Sequence, residues 1–538
     1  MNFKVGDHVT RNSYDNDIVF VIIGIKDNVA LLKGFDLRLI ADSPLSDLSI
    51  SEEREDDFVD KYYWPLFAGL AVFAAMLCFW CLDVGYVSSW DEARHGINAY
   101  EMIQNKNYIV NTFNYDADYW NLKPPLSFYG IMLGFGIFGY SVVGLRFYSA
   151  VTYFFICILC ALFVKKHHGK WSSLLTLAFL CCNHMMMSGH GARSGSADAL
   201  YQLFFTIAML AMMEIPEKHS RSYLCGACFS FAFLTKSYHA GIILVIGGLY
   251  MMTSGQIRKF KLKEWLLFVL FMTLPAGIWG IARFTEDGLT FFMTMLTEDV
   301  FSRSSVASEG HTGNVLFYIE RYFLDFQMIY WLLLMVILTA GIYMIFKKKE
   351  SIKLYAGYLL WLFVPVLAFS VVSTKLNWYN YPILVPLCML AAIVIGKVLE
   401  NEVIAVRWKK VILAATLIAV GFYGYQTFDE AILSVHGDAL QTFIAKSIDR
   451  GEDAAGANAY IQARQEIGDG SVWNQNTMFI AEIEGDFRCN SYGLAGYLGC
   501  TEKKVIYISR EDYNNMKDML TGKILFESEE YLMLGDNL

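Results

Sequence analysis

Apolar stretches long enough to cross a bilayer recur through the middle of this 538-residue chain, and nothing else in it restricts the fold as much. A crossing helix needs about 20 apolar residues. Such runs lie near 63–83, 146–164, 171–187, 198–214, 222–235, 239–253, 264–284, 328–346, 353–373, 380–398 and 409–427, with a shorter one at 126–140. Inside hydrocarbon a backbone amide must bond within its own helix or a closed barrel, so runs of this length predict helices. Only 18% of the residues are charged, against about 25% in a soluble domain. The expected fold class is an all-α polytopic membrane protein of about 11–13 transmembrane helices, with a small β-rich amino-terminal module and a small α/β carboxy-terminal soluble domain.

Charge divides the chain in the same way. Residues 1–60 hold 13 acidic and 6 basic side chains, residues 430–538 hold 18 and 9, and the stretch between is net +7. A basic membrane body between acidic soluble ends suits anionic lipid and gives nucleic acid no basic soluble face. The expected domains are 1–50, an acidic linker 51–61, a membrane domain 62–428 and a soluble domain 429–538. In the first, Ile18–Ile25 and Val29–Leu32 read as strands joined at Lys26-Asp27-Asn28. In the last, Leu440–Ile448 reads as a helix, and Val505–Ile508 and Lys523–Phe526 as strands. Ser491–Tyr497 reads as a loop over the membrane face. Cys489 and Cys500, in that soluble region, could pair on an oxidising side. The other nine cysteines lie in apolar runs and read as small buried hydrophobes. No signal peptide precedes residue 60, so the first run reads as a retained anchor.

Basic loops collect on the cytoplasmic side of a membrane. Lys165–Lys170, Lys218–Arg221, Arg258–Lys263, Lys347–Lys353 and Arg407–Lys410 alternate with loops at 188–197, 235–239, 285–327 and 373–379. This predicts a bacterial-type cytoplasmic membrane, a cytoplasmic amino terminus and an extracytoplasmic carboxy-terminal domain. The alternation holds only if 126–140 dips into the bilayer without crossing, which is the reading adopted.

Sorted by side, the outward loops hold the chemistry. The first carries Trp90-Asp91-Glu92-Ala93-Arg94, Trp120 and Asn121-Leu122-Lys123-Pro124-Pro125. Later ones carry His190, Arg193 and Asp198; Leu234-Thr235-Lys236; Glu298, Arg303 and His311; and Ser373-Thr374-Lys375-Leu376-Asn377-Trp378-Tyr379. Several Lys and Arg around one cavity suit a phosphate. A carboxylate among them can serve as base toward a hydroxyl, and Trp90, Trp120, Trp378 and Tyr379 offer flat faces for a sugar. Nucleoside triphosphates are not at hand outside the cytoplasm, so an activated sugar would arrive on a lipid phosphate.

These motifs resemble the membrane glycosyltransferases of the GT-C fold, nearest to the lipid A aminoarabinose transferase and protein O-mannosyltransferase families, over roughly residues 62–427. The resemblance implies an inverting transfer from a polyprenyl-phosphate sugar to a lipid, protein or glycan hydroxyl. It implies Asp91 as base with Glu92 beside it. Arg94, Lys123, Arg193, Lys236, Lys375 and Arg303 would lie at the donor phosphate, and Asp198, Glu298, His311, Trp378 and Tyr379 would position substrate. The chain departs from the family at Ser237-Tyr238, where glycine usually follows Lys236, and after His311. Residues 1–50 are similar to small SH3-like barrels and, through Leu39–Leu45, to the amino-terminal module of a sporulation-associated protease.

Plainer readings exist for each residue. Asp91 fits an N-cap. Glu92 could pair with Arg94, position an acceptor or, with His311, hold a divalent metal, though no compact ligand spacing supports one and no cofactor is assigned. Lys123 and Lys236 fit snorkelling lysines, Arg193 and Asp198 an internal ion pair, Trp378-Tyr379 an aromatic belt, and His190 and His239 structural positions. From another class, a secondary transporter or flippase for an anionic amphiphile would show internal repeats and midplane sites, which the sequence lacks.

Overall fold

The computed structural model describes residues 3–16, 18–35, 39–50, 58–302, 311–325, 328–338, 352–401, 404–448, 454–462 and 473–538. They fall into two units, Met1–Leu66 and Phe67–Leu538. Most of the expected linker, and Arg303, lie outside the described residues.

In the first unit, strands β1 (His8–Arg11), β2 (Val19–Lys26), β3 (Val29–Gly34), β4 (Ile40–Pro44) and β5 (Leu48–Ile50) form one antiparallel sheet in the order β4-β3-β2-β1-β5. Asp27 and Asn28, at φ +49° and +68°, make the two-residue turn expected between β2 and β3. Both residue types tolerate that region and match the twist of a hairpin. Alternate strand residues Val9, Phe20, Ile22, Ala30, Leu32 and Leu48 form its core.

The membrane body is built from α1 (Phe58–Phe79), α2 (Ala93–Gln104), α3 (Leu126–Phe138), α4 (Val142–His168), α5 (Lys170–Cys181), α6 (His184–Met187), α7 (Asp198–Met213), α8 (Arg221–Lys236), α9 (Gly241–Thr253), α10 (Leu262–Asp287), α11 (Met328–Val336), α12 (Ile352–Val371), α13 (Leu384–Glu400) and α14 (Val406–Phe428). Among the described residues seven helical spans are long and apolar enough to cross a membrane, and α3, α5 and α7 are shorter apolar helices. One of the seven, Arg221–Thr253, is a hairpin of two helices. Lys236 at the end of α8 meets Asp198 at the start of α7, while Tyr250 near the end of α9 bonds the Met213 carbonyl at the far end of α7. Much of the expected basic loop Lys347–Lys353 and half of the run 328–346 lie outside the described residues.

The two ends of this body differ. At one end Lys166 and His167 of α4 and Arg221 of α8 gather on Glu214. Arg146, in the first turn of α4, lies at the other end and pairs with Glu92. The short helix α3 also belongs to that other end. Its 13 residues span about 20 Å, short of the roughly 30 Å hydrocarbon core, and Gly139 at φ +72° turns the chain straight into α4. The turn lies against the carboxy-terminal domain, where Glu484 accepts from the Val142 amide. Thus α3 begins and ends at one end of the body, opposite the cluster of Lys166, His167 and Arg221 on Glu214.

After α14 the chain forms α15 (Ala439–Ile448) and a mixed sheet of β8 (Asn458–Gln462), β9 (Arg488–Cys489), β10 (Lys504–Ser509), β11 (Lys523–Glu527) and β12 (Tyr531–Asp536), the small hairpin strands β6 (Thr112–Phe113) and β7 (Asp116–Ala117) lying earlier in the chain. Its order is β11-β12-β10-β8-β9. Strand alternation splits it: Tyr460, Ile506, Ile508, Leu532 and Leu534 pack one face, while Ala459, Ile461, Val505, Tyr507 and Met533 join Ile97, Phe128, Ile131 and Leu145 in a single core. The domain is therefore welded to α2, α3 and α4. The expected loop at Ser491–Tyr497 is instead mostly a helix, Gly493–Gly499, whose Tyr497 is buried in the other core, on the sheet face away from α2–α4. Cys489 and Cys500 are both free.

Candidate active site

The first loop between α1 and α3 is folded around buried polar side chains. Asp118 takes both Nε and Nη2 of Arg94 at 2.9 Å, and it accepts from Asn98 Nδ2 at 3.0 Å and from the Trp120 amide at 2.9 Å. Asn121 Nδ2 donates to Asn98 Oδ1 at 2.7 Å. Arg283 of α10 donates to the Ile109 carbonyl, tying the loop to that helix. This network explains the motif around Lys123. Asn121 is anchored, Leu122 packs with Leu234, Trp279 and Phe291, and Pro124-Pro125 start α3. Lys123 is left facing the cavity.

Trp90 takes φ +61°, a backbone region that a bulky side chain rarely enters. Its ring stays half exposed against Trp120, with centroids 4.8 Å apart. After this turn the two carboxylates part company. Asp91 keeps 33% of its side chain exposed at the cavity. Glu92 is 2% exposed and accepts from Arg146 Nε at 2.7 Å, the Gly195 amide at 3.0 Å and the Ser88 amide at 2.9 Å.

The cavity has a volume of about 730 Å³ and is lined by Ser88–Glu92, Trp120, Lys123, Gly189, His190, Ser194, Lys236, His239, His311, Leu376, Trp378 and Tyr379. That volume is in the range of small-molecule sites, about 300–1,000 Å³. Lys236 is ion-paired with Asp198, and its ammonium lies 5.4 Å from the Tyr379 ring centroid. His190 stacks on Trp378 at 3.7 Å and 19°. Burial works against the Asp91 charge, but His190, Lys123 and His95 outweigh it and hold its carboxyl below the ordinary range. His95, one helical turn on, is driven the other way, mainly by burial, to about 4.

Of the residues expected at the site, Asp91, Glu92, Lys123, Lys236, His311, Trp378 and Tyr379 line this cavity, Glu92 with its carboxylate turned to Arg146, and Asp198 backs it through Lys236. The helix after Asp91 has Glu92 at its N-cap position, with no side-chain capping bond, so the cap reading of Asp91 is replaced. Three expected phosphate ligands face elsewhere. Arg94 is clamped by Asp118 between the rings of Phe113 and Trp120. Arg193 donates to the carbonyls of Leu77, Trp80 and Cys81 at the end of α1. Lys375 donates to the carbonyls of Phe369, Ser370 and Val372 at the end of α12. Helix ends leave carbonyls unbonded, and these two cations satisfy them. Glu298 is exposed and does not line the cavity. Among the described residues no three His, Cys, Asp or Glu side chains are grouped to hold a metal, and Glu92, read as a possible ligand, is taken up by Arg146.

The sequence reading set His190 and His239 aside as structural, yet both line the cavity. It also missed Arg146, which stands at the head of an apolar run. An arginine so placed must find a buried partner, and that signal pointed to Glu92.

The family model for dolichyl-phosphate-mannose-protein mannosyltransferases matches residues 122–279. An undecaprenyl phosphate-alpha-4-amino-4-deoxy-L-arabinose arabinosyl transferase of Shewanella sediminis is 25% identical over 67% of this chain and 66% of its own length. The crystal structure of ArnT from Cupriavidus metallidurans bound to undecaprenyl phosphate superposes with a TM-score of 0.63 at 14% identity, covering 89% of this chain and 98% of that one. The chain carries the GT-C glycosyltransferase fold. It resembles the polyprenyl-phosphate-dependent members of that fold in sequence as well as in architecture. Within the GT-C body, the matched stretch 122–279 contains Lys123, His190, Asp198 and Lys236, while Asp91 and Trp378-Tyr379 enter the cavity from outside it. Separately, residues 4–63 match the YabG peptidase U57 family, and 60 residues are 45% identical to the sporulation-specific protease YabG of Bacillus subtilis, covering 21% of that protein.

Proposed function

We propose that the protein transfers a sugar from a polyprenyl-phosphate donor to an acceptor hydroxyl at the extracytoplasmic face of a bacterial cytoplasmic membrane, with its amino terminus in the cytoplasm. One observation carries this reading: Asp91 and Lys123 of the first loop and Lys236 at the end of α8 meet at one cavity rimmed by aromatic rings. Asp91 is held ionised and partly exposed, as a base toward a hydroxyl must be. It takes the acceptor proton as the acceptor oxygen attacks the anomeric carbon. The bond from that carbon to the phosphate oxygen breaks, and Lys123 and Lys236 stabilise the charge leaving on the phosphate. Attack from the side opposite the leaving phosphate inverts the sugar. Trp378 and Tyr379 offer the donor sugar a wall, and His311 lies at the rim. Arg94, Arg193 and Lys375, which do not line the cavity, position backbone and neighbours, and Glu92 holds Arg146 and two backbone amides at the cavity wall. The acceptor is a lipid, protein or glycan hydroxyl.

The test uses the full-length chain in nanodiscs with labelled undecaprenyl-phosphate 4-amino-4-deoxy-L-arabinose and a membrane extract as acceptor source. Labelled product from wild type, and none above background from Asp91→Asn, is the expected result. Equal transfer by both removes Asp91 as base. Uptake of labelled lipid into vesicles without any product would point to a transporter.

A further inference from the structure

Asp91 needs an orienting partner, and none of the residues assigned so far supplies it. Its side chain makes no capping bond, and the structure gives it one ion-pair contact, His190 Nδ1 at 3.9 Å from Asp91 Oδ2. The same nitrogen lies 3.3 Å from Oδ2 of Asp198, whose other oxygen holds Lys236. One imidazole edge therefore stands between two carboxylates that are more than a hundred residues apart in sequence.

The ring is fixed in this place. It lies flat on Trp378, and its backbone carbonyl accepts from Ser196 Oγ at 3.2 Å. The turn before and after it is forced by two glycines. Gly189 takes φ +57°, and a Cβ on Gly191 would fall 2.1 Å from the Met186 carbonyl oxygen. A loop this constrained around one half-hidden histidine does more than fill space.

We propose that His190 is a positioning residue for Asp91, linking that carboxylate to the buried Asp198–Lys236 pair so that its second oxygen is presented to the acceptor hydroxyl. The inference rests on the sugar-transfer reading of this cavity. The 3.9 Å separation is a Coulombic contact, and such contacts tighten to hydrogen bonds when substrate closes a site. In the transfer step the acceptor proton passes to Asp91 Oδ1 as the new carbon–oxygen bond forms. The electron pair of the broken bond leaves on the lipid phosphate. The logic is that of any base held by a third group. Four groups bear on the Asp91 charge: His190, Lys123 and His95 favour it, and Asp198 opposes it.

The experiment compares wild type, His190→Ala and His190→Gln, full-length in nanodiscs. Donor turnover is read with undecaprenyl-phosphate 4-amino-4-deoxy-L-arabinose across pH, and binding is read with undecaprenyl phosphate alone. His190→Ala should lower kcat about 100-fold, with donor KM and lipid-phosphate affinity changed less than about twofold. The acid limb of its kcat profile should move up by about one pH unit, because Asp91 loses a group that favours its charge. His190→Gln, which keeps an N–H donor, should recover about tenfold of the loss. Equal losses in both variants, an unshifted acid limb, or a KM effect with kcat intact would each overturn the positioning role. Wild-type protein that neither binds undecaprenyl phosphate nor transfers sugar removes the underlying reading, and this assignment with it. Wild-type activity with an unimpaired His190→Ala removes the assignment alone.

Discussion

Adjacent residues Asp91 and Glu92 are chemically alike and should fail in different ways. Glu92 is buried and shared among Arg146 and two backbone amides. Glu92→Gln leaves the Arg146 guanidinium without its countercharge, and breaking a buried pair in this way costs about 3–5 kcal/mol. A lower unfolding temperature in detergent should therefore accompany whatever activity is lost. Asp91→Asn gives up only the 3.9 Å contact with His190, so its unfolding temperature should stay close to that of wild type while transfer falls by about 10²–10⁴. A similar split separates the lysines. Lys123→Met should weaken undecaprenyl phosphate binding without loss of stability. Lys375→Met should lower stability and leave that binding in place, because its ammonium bonds three carbonyls at a helix end. These contrasts mark what was legible in the sequence. Loop sidedness brought Asp91, Lys123, Lys236, His311, Trp378 and Tyr379 to one face, and that much follows from where charges can be tolerated. It could not distinguish a cation pointing into a cavity from one pointing at carbonyls, so Arg94, Arg193 and Lys375 were read alike with Lys123. His190 was passed over because an isolated histidine has no pattern; its meaning comes from Asp91 and Asp198, which only the fold brings near.

Two elements decide how the site is held. Helix α3 has 13 residues, a length that neither requires nor forbids a crossing, and its packing supports the returning path. Gly134 approaches Gly144 so closely that a Cβ on it would fall 2.0 Å from the Gly144 carbonyl oxygen, fixing α3 against α4. With α3 returning to the end it left, a cysteine at exposed Tyr140 should react with an impermeant maleimide from the same side as one at Trp120. A cysteine at Lys165 should be protected until the membrane is permeabilised, in a Cys81→Ser background. Equal labelling of positions 140 and 165 would contradict this path. Helix α2 meets the carboxy-terminal domain through Gly96, where a Cβ would fall 2.4 Å from the Phe479 ring. At the same junction Glu101 and Glu482 are both buried, each with an unbonded oxygen. Burial is the main cause for both, with Asp118 adding to it at Glu101 and Glu101 adding to it at Glu482, so that Glu101 is pushed up to about 7 and Glu482 up to about 8. Folded-state values above the unfolded ones mean that the native state binds the extra protons. Their contribution is fully present below the ordinary glutamate range and is lost as pH rises through about 7 to 8. Thermal unfolding temperature should accordingly fall across that interval, and Glu482→Gln should flatten the fall. A wild-type profile already flat there would show that the two carboxyls are not buried together in solution. The helix and strands of this domain were readable from periodicity, but its union with α2–α4 was not, since a shared core leaves no mark on either segment alone.

At the scale of the whole molecule, the chain joins parts of different ancestry. The chain is 25% identical to a sugar transferase over two thirds of its length, whereas its residues 4–63 match a peptidase family and 60 of its residues are 45% identical to part of a protease. Because this sequence module also occurs in a protease and brings no recognised catalytic set here, we propose an adaptor role for it. The structure makes this testable, because Met1–Leu66 is a unit with a core of its own. A module of this size buries only about 60% of its unfolded surface, so its stability should be no more than about 3–5 kcal/mol. Leu32 is fully buried at the centre of that core, and Leu32→Ala should cost about 2–5 kcal/mol. That is enough to unfold an isolated 1–57 fragment, which circular dichroism would read directly against the cooperatively unfolding wild-type fragment. The full-length Leu32→Ala variant should bind undecaprenyl phosphate and transfer sugar within about twofold of wild type, since no described residue of the module lines the cavity and sites that share no partners act independently. A full-length variant that loses transfer in proportion to the module's unfolding would instead make residues 1–50 part of the catalytic machine, and the shared sequence would then report a shared mechanism of control.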